Sequence, residues 1–161
     1  MYKSISIANY LIEKSIYEGM EITPMKVLKL TYIAHGWYLG LQKKPLITEQ
    51  TEAWKYGPVI PNIYHYFKHY CSNDINELYF PDLIEDKKEY NFMSENEEIN
   101  SFLNEIWKVY KNFKGGELSD LTHKKGTSWD ITWNKNGGST FRGAIIPNKL
   151  IQEYYTKKAS S

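Results

Sequence analysis

The spacing of apolar positions along this chain predicts helices over most of its length. From Ser6 to Glu18 the apolar residues recur every three to four positions, and Gly19 follows where a helix commonly ends. A second clear pattern follows the capping box Ser94–Glu97 and continues to Phe113 with apolar residues at i, i+3, i+4 and i+7. Further helices are expected over residues 63–71 and 117–125, as one turn after Thr127, and from Pro147 or Asn148 towards the end of the chain.

The helix predicted from Met25 to Lys44 differs from the others because it is apolar on almost all sides. Thr23 and Pro24 supply its start signal, a capping hydroxyl followed by proline at the first helical position. A helix without a wide polar face is usually central and buried. Gly36 and Gly40 lie within it, and each costs about 1 kcal/mol of helix propensity relative to alanine. We therefore expect another backbone to approach this face closely.

Short strands are predicted where prolines exclude long helices. Residues 45–61 contain three prolines, and within them Leu46–Thr48 and Glu52–Tyr56 have the composition of two strands on either side of a polar turn. Gly57 and Pro58 are expected to end the second of these strands. Residues 144–146 are also predicted to be short and extended. The pattern indicates a small β element near residues 46–56.

Residues 72–93 are mixed in character and are predicted to form an excursion from the core. Within them, Leu78–Phe80 and Tyr90–Phe92 have the composition of short strands. No internal repeat and no long linker divides the chain. The sequence therefore predicts a single domain over residues 1–161 of the mainly α (α+β) class, with about six or seven helices packed around the central helix near residues 24–44.

Composition and charge narrow the classes of function. The chain has 161 residues, the usual size of one domain, and 20 basic against 19 acidic side chains give a formal net charge of +1. This balance disfavours a broad electrostatic surface for nucleic acid or anionic lipid. The single Cys71 excludes an internal disulfide and favours a reducing compartment, and neither a signal peptide nor a membrane span is apparent. We therefore expect a cytoplasmic protein without a membrane partner.

Groups with the chemistry of a metal, cofactor or catalytic site are few. His65 and His69 share a predicted helix face and Cys71 follows, but structural zinc takes four ligands, usually as two spaced pairs, and the chain has no second pair. A nucleophilic Cys71 would need a positioned base, and no local signature supplies one. A glycine-rich phosphate loop is also absent. The sequence thus predicts no metal, no cofactor and no catalytic residue.

His123 and Asp130 are the strongest candidates for a catalytic pair. A histidine held by a carboxylate can act as a general acid or base, and it can equally hold two short helices together. The structural role is favoured because no second catalytic group is evident, but an enzyme that uses this pair stays open, as does a nucleic-acid-binding regulator. His35 lies within the apolar helix and is expected to be a core histidine bonded to a backbone carbonyl or a tyrosine hydroxyl.

Three ordered motifs are more specific than helix periodicity explains. The first is Thr23–Lys26 followed by Lys29, Leu30, Tyr32 and Ala34–Leu39. The second is Glu52–Val59 followed by Pro61 and Tyr64, and the third is Leu118, Ser119 and Leu121–His123 followed by Trp129 and Asp130. In these motifs the chain resembles the Panacea family, the SocA-like antitoxin domains that are often labelled phage-associated protein or GepA. The resemblance extends from about Ser6 to Tyr155.

This resemblance implies a mainly helical antitoxin module of a bacterial or prophage toxin–antitoxin pair. Such a module binds and neutralises a cognate protein toxin encoded next to it. SocA-type members also deliver the toxin to the ClpXP protease, so a ClpXP-type protease is a second expected partner. The family brings no cofactor and no established reaction. Some members carry an additional DNA-binding domain, which we do not expect in this chain.

Aromatic residues make up 16% of the chain and dominate the candidate site. Residues 54–58 are predicted to form a rigid aromatic turn and Trp129 a second cluster with His123, both near the glycine face of the central helix. We favour a scaffold role for them and expect partner specificity in exposed tyrosines and in the excursion, at Tyr79, Phe80, Tyr90 and Phe92. The motif residues that are candidates for partner contact are His35, Trp37, Trp54, Tyr56, Gly57, Pro58, Tyr64, His123, Trp129 and Asp130.

Overall fold

The computed structural model describes all 161 residues and contains eight α-helices and one small sheet. Its helices are α1 (Ser4–Glu18), α2 (Pro24–Gln42), α3 (Pro61–Phe67), α4 (Leu83–Ser94), α5 (Glu97–Tyr110), α6 (Gly115–His123), the single turn α7 (Ser128–Asp130) and α8 (Asn148–Ala159). The strands are β1 (Thr51–Trp54), β2 (Gly57–Val59) and β3 (Ala144–Ile146). The predicted mainly α class with a small β element is confirmed. None of the helices combines the length and apolar character that crossing a membrane requires.

Helix α2 forms the centre of the fold, as its apolar surface predicts. The Thr23 hydroxyl accepts a hydrogen bond from the Lys26 amide at 3.3 Å, and Pro24 is the first helical residue, so both parts of the start signal operate. Helices α1, α3, α5, α6 and α8 all pack against α2. Because it is surrounded in this way, α2 needs no polar face.

The close approach expected at Gly36 and Gly40 is made by α8. A Cβ at Gly36 would overlap the ring of Tyr155, and a Cβ at Gly40 would lie 2.8 Å from the Tyr155 carbonyl carbon. The two glycines thus let α8 lie directly on the backbone of α2. Tyr155 covers the two glycines themselves, so the aromatic turn and the His123 cluster do not contact them. The turn and His123 lie instead beside Lys29, seven residues before Gly36 on the same face of α2.

The sheet is antiparallel, with strand order β2–β1–β3. Ala53 of β1 is opposite Pro58 on one side and Ala144 on the other, so the extended segment predicted at residues 144–146 is its third strand. Residues 46–48 are not part of the sheet, because their backbone groups pair with the start of the chain: Tyr2 donates to the Leu46 carbonyl, and Thr48 donates to the Tyr2 carbonyl. The hairpin therefore joins β1 to β2, and Gly57 begins a strand instead of ending one.

The predicted strands at residues 78–80 and 90–92 are both wrong, because the second lies inside helix α4 and the first is irregular. The Asp82 carboxylate caps α4 by accepting a hydrogen bond from the Glu85 amide at 3.1 Å. The buried residues of α4 are Asp86, Tyr90 and Met93, at helical spacings of four and three. Because one of them is an aspartate, a search for periodic apolar residues does not detect this helix. The Lys3 amine lies 2.8 Å from the Asp86 carboxylate, and this ion pair offsets part of the free-energy cost of burying the Asp86 charge.

Two residues separate α5 from α4, and the N-cap of α5 differs from the predicted one. Ser94 is the last residue of α4, and the side chain of Asn96 accepts a hydrogen bond from the Ile99 amide at 3.1 Å. The predicted amphipathic face is otherwise present, since Ile99, Leu103 and Ile106 are buried. After α7, the chain continues through a π-helical turn at 131–135 and a 3₁₀ turn at 138–140.

Candidate partner-binding site

The turn between β1 and β2 packs on Lys29, a residue of α2. The Lys29 amine donates a hydrogen bond to the Pro58 carbonyl oxygen at 2.8 Å. Gly57 has a φ of +117°, which side chains rarely adopt, and a Cβ there would lie 2.9 Å from the Lys29 amine. Glycine is therefore required at this position by its backbone angle and by the approach of Lys29.

Lys29 is an unusual lysine because it is only 1% exposed and its hydrogen bond goes to a carbonyl, not to a carboxylate. Burial disfavours the charged form and lowers the pKa of its amine to about 7. The amine therefore changes charge near neutral pH, whereas an exposed lysine stays charged there.

Helices α6 and α7 hold the same turn by hydrogen bonds to its backbone. The Ser119 hydroxyl donates to the Tyr56 carbonyl at 2.8 Å, and the Trp129 indole N–H donates to the Trp54 carbonyl at 2.7 Å. The His123 ring lies edge-on to Trp129, with ring centroids 5.2 Å apart. The structure thus brings the predicted aromatic turn and the predicted His123–Trp129 cluster together in one site.

His123 and Asp130 do not form the pair that their spacing suggested. The Nδ1 atom of His123 lies 2.5 Å from the Ser119 carbonyl oxygen, which can only accept, so this nitrogen carries the proton. The Asp130 carboxylate instead accepts hydrogen bonds from the Gly126 amide at 2.9 Å and from the Asn134 side chain at 2.7 Å. These bonds stabilise the carboxylate and lower its pKa. Both residues hold local structure in this arrangement.

The aromatic side chains on the outer side of the turn form a half-exposed surface. We call Trp54, Tyr56 and Tyr64 the aromatic ridge. Tyr56 is 63% exposed and Tyr64 is 40% exposed, and the rings of Trp54 and Tyr64 pack edge to face with centroids 4.9 Å apart. The Trp54 indole N–H donates to the Glu52 carboxylate at 3.0 Å, which fixes the orientation of its ring.

Clefts flank the aromatic ridge on two sides. One cleft, of about 360 Å³, lies between the ridge and the first turns of α2, where Met25 and Leu28 form part of its wall. Another, of about 790 Å³, lies between the ridge and residues 139–143. Because Trp54 and Tyr64 line both clefts, the ridge is accessible from either side.

His35 and Trp37 lie away from this site and belong to the core around α8. His35 is fully buried: its Nε2 lies 3.0 Å from the Asn148 side-chain oxygen, and its Nδ1 accepts from the Leu46 amide at 3.3 Å. The core location was predicted correctly, but the expected carbonyl or tyrosine partner was wrong. Burial lowers the pKa of His35, which favours the neutral ring. The Trp37 indole donates to the Tyr110 hydroxyl at 2.8 Å.

The four aromatic residues predicted for partner specificity are in different environments. Tyr90 is buried and its hydroxyl donates to the Glu13 carboxylate, while the Phe80 ring packs on it with centroids 5.9 Å apart. Tyr79 is 42% exposed and packs on Phe67. Phe92 is 70% exposed. On α4, Phe92 lines a shallow surface depression with the exposed apolar residues Leu83 and Ile84, which the sequence pattern did not single out.

Lys29 belongs to the first sequence motif, but neither its burial nor the neighbouring cleft was predicted from the sequence. A lysine within an otherwise apolar helix was a usable signal, but the pattern alone does not distinguish a buried amine from one that reaches solvent. His65, His69 and Cys71 are exposed, and no group of three His, Cys, Asp or Glu side chains converges in the molecule.

Comparisons with known proteins match the part of the chain that forms this site. The family model described as antitoxin SocA-like, Panacea domain, matches residues 27–130, which include Lys29, the aromatic ridge and α7. The protein Antitoxin SocA of Caulobacter vibrioides (strain NA1000 / CB15N) is 26% identical over 154 residues, which cover 93% of this chain and 80% of that protein. No solved structure matches the chain.

Proposed function

The chain belongs to the antitoxin SocA-like Panacea family, and from that premise we propose that it is a cytoplasmic antitoxin that neutralises a cognate protein toxin by direct binding. The similarity to Antitoxin SocA over nearly the whole chain supports this role. The observation that carries the proposal in the structure is the aromatic ridge, since tyrosine and tryptophan are the side chains most enriched at the centres of protein interfaces.

Some residues of the sequence motifs are buried and others face solvent, and this division supports a binding role for the ridge. Gly57, Pro58 and Trp129 are buried and hold the turn in place. Tyr56, which lies in the same turn, and Tyr64, which lies on the following helix α3, face solvent. Large aromatic side chains on a rigid backbone lose little conformational freedom on binding, so they supply contact area at low entropic cost. We propose that the toxin covers this surface.

We propose a scaffold role without catalysis for the His123–Trp129 cluster, which holds the turn beneath the ridge. Its hydrogen bonds all go to neighbouring structural groups, and the carboxylate that would orient His123 is engaged elsewhere. His123→Ala discriminates between the two roles. Loss of rescue in a variant that still folds and still binds the toxin would support chemistry at His123 and contradict this part of the proposal.

Co-expression with the protein encoded beside this gene tests the antitoxin role. We expect the neighbour alone to arrest bacterial growth, the chain to restore growth, and the two proteins to co-purify. A harmless neighbour, or a pair that never associates, would contradict the proposal. Toxin lifetime then separates two mechanisms: sequestration leaves it unchanged, whereas delivery to a ClpXP-type protease shortens it only when that protease is present.

Alanine variants of the ridge test where the toxin binds. We expect Tyr56→Ala and Tyr64→Ala each to weaken toxin binding by roughly 30-fold, which corresponds to about 2 kcal/mol for an interface hot spot. Tyr17 is 88% exposed on α1 and gives a matched control, since Tyr17→Ala removes the same side chain outside the ridge. Affinity is measured by isothermal titration calorimetry. Equal effects of all three variants would rule out the ridge as the preferred contact.

A further inference from the structure

The cleft between the aromatic ridge and α2 combines an apolar interior with basic groups. We call it the lysine cleft. Its volume is about 360 Å³, within the range of sites that take a small ligand or a few side chains. Seven of its eleven lining residues are hydrophobic. Its apolar lining includes Met25, Leu28, Val59 and the aromatic ridge.

The charged residues of the lysine cleft are all of one sign. Lys29 is buried within its wall, while Lys55 and Lys68 are exposed. No aspartate or glutamate lines the cleft, although the whole chain is almost neutral with 20 basic and 19 acidic residues. None of the three ammonium groups forms a salt bridge within the protein. The two outer lysines thus place positive charge without an acidic partner beside the apolar walls and the buried Lys29 amine.

Lys29 retains hydrogen-bonding capacity within this wall. An ammonium group has three N–H donors, and the structure gives the Lys29 amine one hydrogen-bond acceptor, the Pro58 carbonyl. A carboxylate that enters the cleft would accept from such a group. In a buried setting this charge-assisted bond is stronger than at the surface, and the carboxylate would in turn favour the charged lysine.

We propose that the lysine cleft binds a segment of the cognate toxin in which an apolar side chain stands next to a carboxylate, from an aspartate, a glutamate or the chain terminus. This inference rests on the proposed antitoxin function and states which partner chemistry its site selects. Met25, Leu28 and Val59 contact the apolar side chain. Lys29 and the two outer lysines receive the carboxylate. A partner that offered only charge would leave the apolar wall without a contact. A partner that offered only apolar groups would bury the remaining N–H donors of Lys29 without an acceptor.

Charge reversal at the two outer lysines tests the inference without touching the buried core. We expect the double variant Lys55→Glu/Lys68→Glu to bind purified toxin at least tenfold more weakly than the unmodified chain. The neutral variant Lys55→Gln/Lys68→Gln should lose less affinity, and added salt should narrow the difference. The matched control is Lys149→Glu/Lys157→Glu on α8, which makes the same change in net charge at exposed residues outside both the cleft and the α4 face. It should retain full affinity.

Cys71 supplies a second readout that does not depend on charge. It is the single cysteine of the chain, it is exposed, and it lines the lysine cleft. Saturating toxin should slow alkylation of its thiol by iodoacetamide at least tenfold, with Cys71→Ser as the unlabelled control.

The outcomes separate this inference from the proposed function. The lysine-cleft assignment would be overturned if toxin bound the unmodified chain, the cleft variant and the control variant with equal affinity and did not protect Cys71 from alkylation. The antitoxin role would stand in that case. Toxin that fails to bind the unmodified chain, or a neighbouring gene product that is not toxic, would remove the proposed function and this inference together.

Discussion

Lys29 shows how one residue links the central helix to the site. Lys29 is buried on α2, and its amine reaches the backbone of β2, where it donates a hydrogen bond to the Pro58 carbonyl. Removing the amine from water is costly, and a single carbonyl offsets only part of that cost. Buried, destabilising ionisable groups are concentrated at functional sites, and Lys29 is such a group beneath the turn between β1 and β2.

The pKa of Lys29 predicts a specific dependence of stability on pH. The folded pKa of about 7 lies below the ordinary value of 10.5, so the unfolded chain binds more protons between these values. The free energy of unfolding should therefore rise with pH in this window, by about 2 kcal/mol from pH 7 to pH 9 from this group alone, and its contribution should be constant well below pH 7.

Lys29→Met isolates this effect, because methionine keeps the apolar stem and does not titrate. Urea unfolding at pH 7, 8 and 9 should show the rise in the unmodified chain and in the surface control Lys87→Met, and a flatter profile in Lys29→Met. Parallel profiles for all three proteins would show that Lys29 has an ordinary pKa in the folded state.

At the scale of elements, the packing of α8 on α2 depends on two positions without side chains. Gly36 and Gly40 lie on adjacent turns of α2, and Tyr155 of α8 covers both of them. The ring of Tyr155 also packs edge-on to Trp37, with centroids 5.2 Å apart. The loss of helix propensity at the two glycines is thus offset by a close helix–helix contact.

Gly40→Ala should destabilise the protein although alanine is the better helix former. The new Cβ would lie 2.8 Å from the Tyr155 carbonyl carbon, so α8 must move. We expect a net loss of about 1–3 kcal/mol in the free energy of unfolding, measured by urea titration. Gly116→Ala is the control, because a Cβ there meets nothing within 4 Å. It should be neutral or slightly stabilising, and a Gly40→Ala variant of equal stability would contradict the packing argument.

The elements also show where sequence patterns suffice and where they fail. Helix α2 was predictable because Thr23 and Pro24 define its start and its whole surface is apolar. Helix α4 was not, because its inward face contains Asp86 and Tyr90, which patterns of apolar residues do not count. Residues 46–48 were predicted to be a strand of the hairpin, but their backbone bonds to the distant Tyr2 instead. A local pattern does not reveal such a partner, so the pairing of β1 with β2 was not predicted.

Over the whole molecule, two exposed surfaces carry groups of large apolar side chains. One surface is the aromatic ridge with its clefts. The second is the outer face of α4, where Leu83, Ile84 and Phe92 are each at least 67% exposed. We propose that this second face contributes to the choice of toxin. Of the predicted specificity residues, Phe92 is the one that lies on this face. Tyr90, from the same segment, belongs to the interior instead.

Alanine substitution at two neighbouring aromatic residues separates these roles. Tyr90→Ala removes a buried ring and leaves the Glu13 carboxylate without its donor, so the free energy of unfolding should fall by about 3 kcal/mol or more. Phe92→Ala should change it by no more than about 0.5 kcal/mol, because Phe92 is 70% exposed. Toxin affinity is then measured for Phe92→Ala. Unchanged affinity for every toxin tried would exclude the α4 face from specificity.

The sequence by itself determined the helical class, the central position of α2, the close approach at its glycines and, through three spaced motifs, the family. These features depend on local periodicity, capping residues and residue identity, all of which are present in a short stretch of chain. The tertiary structure alone decided that Lys29 is buried against Pro58, that Asp130 bonds Gly126 and not His123, and that Tyr90 faces inward while Phe92 faces solvent. Each of these outcomes depends on groups brought together by packing, and a polar side chain goes wherever the fold supplies a hydrogen-bond partner.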